Sequence, residues 1–344
     1  MRAMLLRGKQ LTIEDVERPA PGPGQVLARV RACGICGSDL HFARYAENRV
    51  QAAKSNEPTG WAGLDLGNGV AMGHEFVAEV VQTGDGVEGW TPGQRVTSIP
   101  AILPANGQQG PQSIAYSSSY PGGYGEYLLL SAPLLLPVPE HLSDRVAATA
   151  EPCAVGLHAV REARIQPDEP AFVMGAGPIG LMTLLWLKRE GVQHVTVSDP
   201  SEPRRSLAER LGADHILDPS DATAIAQMMQ TTGAAPPVVF ECVGVPGTLQ
   251  GAMDLVARRG RVIVVGVCMV EDQLMPLTGI TKHLTLQFVL GYSPAEFEES
   301  LSALADGSID PSPMITRSVS LDELPAAFES LSDPRDCKVM LEFR

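Results

Sequence analysis

The feature that most restricts how this chain can fold is an alternation of short apolar runs and amphipathic runs that starts at Ala171 and continues to Leu290. The pattern predicts strands at Ala171–Met174, His194–Ser198, His215–Leu217, Pro237–Glu241, Arg261–Gly266 and Leu284–Leu290. Helices are predicted between them at Pro178–Glu190, Pro203–Leu211, Ala222–Gln230 and Thr248–Ala257. Strands separated by single helices form a parallel sheet, because a parallel neighbour needs a crossover connection. The expected fold is therefore α/β, with a doubly wound sheet over this stretch. The first strand runs into Gly175-Ala-Gly177-Pro178-Ile179-Gly180, a G-x-G-x-x-G turn that opens a helix. In that setting Gly175 allows the tight turn, Gly177 lets backbone approach a pyrophosphate, and Gly180 lets helix and strand pack closely. Asp199 ends the next strand, 19 residues after Gly180, where a carboxylate accepts hydrogen bonds from ribose hydroxyls. These residues predict a bound dinucleotide. Asp199 favours NAD over NADP, since it would repel a 2′-phosphate. Arg204 and Arg205 follow closely and leave NADP open, or they line the adenine-ribose edge or a solvated helix face.

The chain is 344 residues long, more than one core ordinarily serves, so two domains are expected. Up to about Ala150 the sequence is rich in Gly and Pro, with strand-like runs at Val26–Arg31, Glu75–Val81, Arg95–Ile99 and Glu126–Leu130. No long helix is expected before Asp144. After Ser293 come two helix patterns, Glu296–Ala305 and Leu321–Ser330, and a last strand at Cys337–Phe343. This tail is expected to return to the first domain, with a cleft between the two lobes. The domain boundaries read as 1–155 plus 293–344 and 156–292.

A net charge of −14 excludes a nucleic-acid partner, which would require a basic surface. No run of about 18 apolar residues exists, and Met1–Gln10 carries Arg2, Arg7 and Lys9 without an apolar core. A protein with no membrane association, located in the cytoplasm, is the expectation. Six cysteines are too few for a disulfide framework in a chain this long. Cys242 and Cys268 lie in apolar runs and read as buried thiols. Cys33-x-x-Cys36 has no second pair to complete a structural metal site, and on its own it also fits redox chemistry.

Three short motifs carry chemistry. Cys36-Gly-Ser38-Asp39-Leu-His41 places thiol, hydroxyl, carboxylate and imidazole within six residues. Gly73-His74-Glu75 and Glu151-Pro152-Cys153 add a second imidazole and two more acids. Taken singly, Cys36 could be a core thiol, His74 a hydrogen-bonded core histidine and Glu75 a charge at a strand end. Together with a dinucleotide fold, a Cys, His and Glu set suits zinc, and three protein ligands leave one position open for substrate.

With these motifs in this order, the chain resembles the zinc-dependent alcohol and polyol dehydrogenases of the medium-chain dehydrogenase/reductase family. The resemblance also takes in Gly84-x-Gly-Val87, Gly93-Gln-Arg-Val96, Gly123-Tyr-Gly-Glu-Tyr127, Glu241-Cys-Val-Gly244 and Lys338-Val-Met-Leu341. It implies a GroES-like, β-rich catalytic domain beside the Rossmann domain. It also implies hydride transfer between an alcohol of secondary, cyclic or polyol type and NAD, giving a ketone or aldehyde. By that resemblance Cys36 and His74 are zinc ligands, joined by Glu75, Glu151 or both, with Asp39 orienting the ligand imidazole. Ser38 and His41 match the hydroxyl and imidazole of a proton relay. Val243, Gly266, Val267 and Lys338 resemble cofactor contacts. Cys153 is two residues away from the ligand position and is left out.

Two departures stand out. Relatives often carry a four-cysteine structural zinc lobe between the equivalents of Val96 and Gly122, whereas this chain has no cysteine there. One catalytic Zn2+ per subunit and no structural zinc is the expectation. Cys36 and His74 are 38 residues apart, a long spacing that reads as an insertion at about Glu47–Val70 containing Trp61. That insertion is either a lid or specificity loop, or a plain surface insertion. A homodimer or homotetramer acting on a small-molecule alcohol or carbonyl substrate is expected. The competing readings are a zinc-free NADPH-dependent quinone or enoyl reductase on the same fold, and a catalytically silent NAD(P)-binding protein.

Overall fold

The computed structural model describes residues 1–55, 63–103, 110–221, 223–331 and 333–343. The chain forms two compact units, Met1–Glu151 with Ile315–Arg344, and Pro152–Met314.

The spine of the first unit is the strand Gln25–Gly34, whose side chains are buried almost throughout. It pairs antiparallel with Glu75–Thr83, with Tyr127–Ser131 along its length and with Lys338–Glu342 at its C-terminal end. Arg95–Ser98 and Leu135–Pro137 extend the sheet beyond Glu75–Thr83, and Ile315–Val319 lies parallel to Lys338–Glu342. A second sheet runs in the order Gln10–Asp15, Arg2–Arg7, Val70–Met72, Tyr116–Ser117. One apolar core joins this unit, including Leu6, Leu27, Phe42, Phe76 and Leu128, each fully or almost fully buried. Each such side chain contributes about 2 kcal/mol.

The first unit departs from expectation at Gly37–Ser55, which is a 19-residue α-helix. Its buried apolar stripe is only Phe42, Ala46 and Val50, spaced by four. Leu40 and Ala43 pack beside them while polar residues take most other positions, so the helical period barely stands out in the sequence. The supposed insertion therefore begins inside this helix. Trp61 lies outside the described residues, as do Pro104–Gln109 of the segment expected to lack a zinc lobe. Ile315–Val319 is a further strand that the sequence pattern did not reveal.

In the second unit six strands form an all-parallel sheet in the order His215–Leu217, Val195–Ser198, Ala171–Met174, Val238–Glu241, Arg261–Val264, Thr285–Phe288. Helices Pro178–Arg189, Glu202–Arg210, Ala224–Thr232 and Thr248–Leu255 alternate with these strands as expected, and Ala222 lies outside the described residues. Helix Pro276–Lys282 is an addition. The two compact units divide at 314/315, later in the chain than the 292/293 boundary read from the sequence. The reason is local packing: His158, on helix Ala150–Ala163, lies 3.2 Å from both carboxylate oxygens of Glu296 on helix Pro294–Ala305. Among the described residues no helix is long and apolar enough to cross a membrane.

Candidate metal centre and dinucleotide site

Strand register assembles the metal centre in the first unit. Gly34 lies opposite Glu75 on one side and Met340 on the other. The residues just past the strand end, Ile35 and Cys36, thus meet the starts of two neighbouring strands. There Cys36, His74 and Glu75 bring one ligand atom each to within 4.8 Å of one another. Glycines make this approach possible. A Cβ on Gly34 would sit 2.1 Å from Glu75 Oε2. Gly73 has φ +97°, and a Cβ there would meet the Tyr124 backbone nitrogen at 2.7 Å.

Asp39 is fully buried behind the cluster. Its Oδ2 accepts from the Tyr124 hydroxyl at 2.5 Å and from the Cys36 backbone N–H at 3.2 Å. Its Oδ1 lies 3.4 Å from His74 Nδ1, off hydrogen-bonding geometry, and neither atom has a hydrogen-bond partner. Burial opposes a charged His74, but Asp39 and Cys36 outweigh it and hold the imidazole well above its ordinary pKa. A buried imidazole facing a carboxylate, with a thiol and a second carboxylate alongside, fits a zinc ion. The donors are sulfur, nitrogen and oxygen, they number three, and the Asp39 carboxylate faces the imidazole from behind.

Lys338 is not exposed for a cofactor contact. It is fully buried, and its Nζ donates to Glu75 Oε1 at 2.7 Å, to Oε2 at 2.6 Å and to the Ile35 carbonyl at 3.1 Å. Burial works to lower this ammonium, and Glu75 more than compensates, leaving its pKa raised. A buried carboxylate requires such a partner. Glu151 is not part of the cluster. It occupies the first turn of helix Ala150–Ala163, half-buried, where the helix dipole favours an acid.

Ser38 Oγ donates to Cys36 Sγ at 3.2 Å and accepts from the Tyr116 hydroxyl at 2.9 Å. His41 is half-buried on the same helix as Ser38, and burial, helped by Arg44, lowers its pKa. It is therefore neutral at neutral pH and able to accept a proton. Cys33, the other half of the C-x-x-C pair, is fully buried, and burial followed by Asp39 and Glu75 pushes its thiol up. All six cysteines are free. Cys242 is half-buried, and Cys268 is exposed, not buried as the apolar run suggested.

The second unit holds the glycine turn. Gly175 follows strand Ala171–Met174 with φ +95°, and a Cβ on Gly180 would lie 1.9 Å from the Gly175 carbonyl oxygen. Gly177 caps helix Pro178–Arg189 without a side-chain acceptor. Its side-chain position is open except for the Arg204 guanidinium, 3.5 Å from where a Cβ would be. Gly177, Pro178 and Ile179 are half-exposed. A helix start with free N–H groups beside an arginine is a fit for a pyrophosphate. Asp199 Oδ2 accepts from the Ala176 N–H at 2.9 Å and Oδ1 from the Ser201 N–H at 2.8 Å. Val243, Gly266 and Val267 come together at the ends of strands Val238–Glu241 and Arg261–Val264. A Cβ on Gly244 would meet the Val267 nitrogen at 2.6 Å. Sequence reasoning gave no role to Glu241, whose Oε1 accepts from the Val243 and Gly244 N–H groups at 2.8 and 2.9 Å and so shapes this loop. Tyr116 and Tyr124 were also missed as site residues. Tyr124 sits in the quoted Gly123–Tyr127 motif, whereas Tyr116, in a serine-rich stretch, carries no signal.

Two family profiles match the chain, "Alcohol dehydrogenase GroES-like domain" over residues 22–140 and "Zinc-binding dehydrogenase" over residues 178–306. The chain is 33% identical over 323 residues to (R,R)-butanediol dehydrogenase of Bacillus subtilis strain 168, covering 92% of this chain and 91% of the relative. It is 27% identical over 343 residues to L-threonine 3-dehydrogenase of Rhizobium etli strain CIAT 652, covering 97% and 95%. The crystal structure of 2R,3R-butanediol dehydrogenase from Bacillus subtilis superposes with a TM-score of 0.84 at 30% identity, over 100% of this chain and 99% of that one. The chain belongs to the zinc-binding medium-chain alcohol and polyol dehydrogenase family. It is accordingly a zinc-type NAD(P) dehydrogenase acting on CH–OH donors.

Proposed function

We propose that this enzyme oxidises a secondary alcohol bearing a neighbouring hydroxyl or amino group to the ketone, with NAD as acceptor and one zinc ion per subunit. The observation that carries this reading is the meeting of Cys36, His74 and Glu75 ligand atoms within 4.8 Å. Zinc held there would act as a Lewis acid toward the alcohol oxygen. Glu75 is the third ligand in this reading, with Lys338 holding its carboxylate in place and Asp39 aligning His74. Glu151 stays outside the ligand set. Ser38 and His41 take up the alcohol proton, the neutral imidazole acting as acceptor. Gly175 to Gly180 and Arg204 receive the dinucleotide phosphates, and Asp199 the adenosine ribose, which favours NAD. Val243, Gly266 and Val267 border the cofactor. The substrate class is supported by the butanediol and threonine enzymes among the relatives, whose names both denote an alcohol with a polar neighbour.

The test is a panel of simple secondary, cyclic, vicinal-diol, amino-alcohol and polyol substrates, run with NAD and NADP in parallel beside a zinc assay of the purified protein. Expected are about one zinc per chain, loss of zinc and turnover in Cys36→Ala, and preference for vicinally substituted alcohols with NAD. Two zinc ions per chain, or turnover of simple alcohols alone, would refute the reading. Self-association through the outer edge of the second unit, and a cytoplasmic location, complete the proposal.

A further inference from the structure

We propose that Tyr116 is a positioning residue that sets the electron-donating strength of the Cys36 sulfur, acting through Ser38. The inference rests on Cys36 being a metal ligand, as proposed above. A serine hydroxyl has one proton and two lone pairs, and it rotates to suit its surroundings. Here the Tyr116 proton enters one lone pair of Ser38 Oγ at 2.9 Å, and the Ser38 proton points to Cys36 Sγ at 3.2 Å. With the Tyr116 hydroxyl as the donor, the Ser38 proton is left for the Cys36 sulfur.

The ring is itself held. It packs against Phe42 with centroids 4.3 Å apart, and its backbone pairs with Met72, two residues before His74. The same strand pair thus places Tyr116 and leads into a candidate metal ligand. A hydrogen bond to a ligand sulfur withdraws electron density from it, so partners of this kind tune the metal. Removing the Tyr116 hydroxyl frees the Ser38 rotor and makes the sulfur a stronger donor.

The experiment uses the full chain loaded with cobalt(II) in place of zinc, reading the sulfur-to-cobalt charge-transfer absorption and turnover. Tyr116→Phe keeps the ring packing. It is expected to move the band to longer wavelength and to lower kcat on the order of tenfold. Ser38→Ala should shift the band at least as far, and adding Tyr116→Phe to it should cause no further shift, because one residue acts through the other. A Tyr116→Phe band at the wild-type position overturns the inference. So does a shift of equal size in the Ser38→Ala background. Wild-type protein that takes up cobalt without any sulfur band overturns the ligand set, and this inference with it.

Discussion

Gly34 shows how much of the metal centre depends on an absent atom. Glu75 and Lys338 are both about 1% exposed, and the Glu75 carboxylate is fixed by two bonds from the Lys338 ammonium. A methyl group at Gly34 would occupy the space of Glu75 Oε2. Gly34→Ala is expected to displace the carboxylate, to weaken zinc binding by about 10- to 100-fold, and to destabilise the first unit by roughly 3 kcal/mol, since a buried pair that loses alignment leaves charge unpaired. Chelator competition and thermal unfolding measure the two effects, and wild-type values in both would show that Gly34 has no such role. At this scale the sequence was informative about residue types and poor about partners. Cys36, His74 and Glu75 were legible because their chemistry is rare in combination. The tie of Lys338 to Glu75 was not legible, because a lysine far along the chain carries no mark of which carboxylate it will meet.

Among elements, helix Pro294–Ala305 has the clearest local code. Ser293 Oγ accepts from the Glu296 N–H, while the Glu296 side chain accepts from the Ser293 N–H at 2.7 Å, a reciprocal capping box. Burial works to raise the Glu296 carboxyl, but the Ser293 bonds and His158 prevail and hold it below its ordinary value of 4.5. A depressed folded pKa means the stabilisation is complete above the ordinary value and lost as pH falls through the lower one. Ser293→Ala should therefore cost about 1 kcal/mol at pH 7, and the gap from wild type should narrow below about pH 4.5. Thermal or urea unfolding across pH 3 to 7 reads this directly, and a gap independent of pH would exclude the linkage. The strands and helices of the second unit were readable because each buried face repeats along a short window. Helix Gly37–Ser55 was not, because a few small or scattered apolar side chains seat it on a core supplied by distant strands.

Across the whole molecule, all ten exposed large hydrophobics among the described residues fall between Val243 and Leu290. Phe288 and Leu290 are 64% and 90% exposed, and strand Thr285–Phe288 closes one edge of the sheet, paired to Arg261–Val264. An apolar edge strand with unpaired backbone groups is a template for another strand, and a second copy of the same edge supplies one in antiparallel register. Phe288→Asp is expected to convert a dimer or tetramer to smaller species, seen by light scattering after size exclusion. An unchanged mass would place the contact elsewhere, and a monomeric wild type would remove it altogether.

What the sequence determined by itself is what short windows encode. The strand and helix periods of the second unit, the glycine turn with Asp199 at the end of the next strand, and the short motifs that carry the metal donors are each written in a local stretch of chain. Only tertiary structure decided which donors meet. The antiparallel register of Gln25–Gly34 against Glu75–Thr83 and Lys338–Glu342 gathers Cys36, His74, Glu75 and Lys338 from positions up to 302 residues apart, and it leaves Glu151 outside. Register of that kind depends on which buried faces fit together, a property of paired surfaces that no single stretch of chain contains.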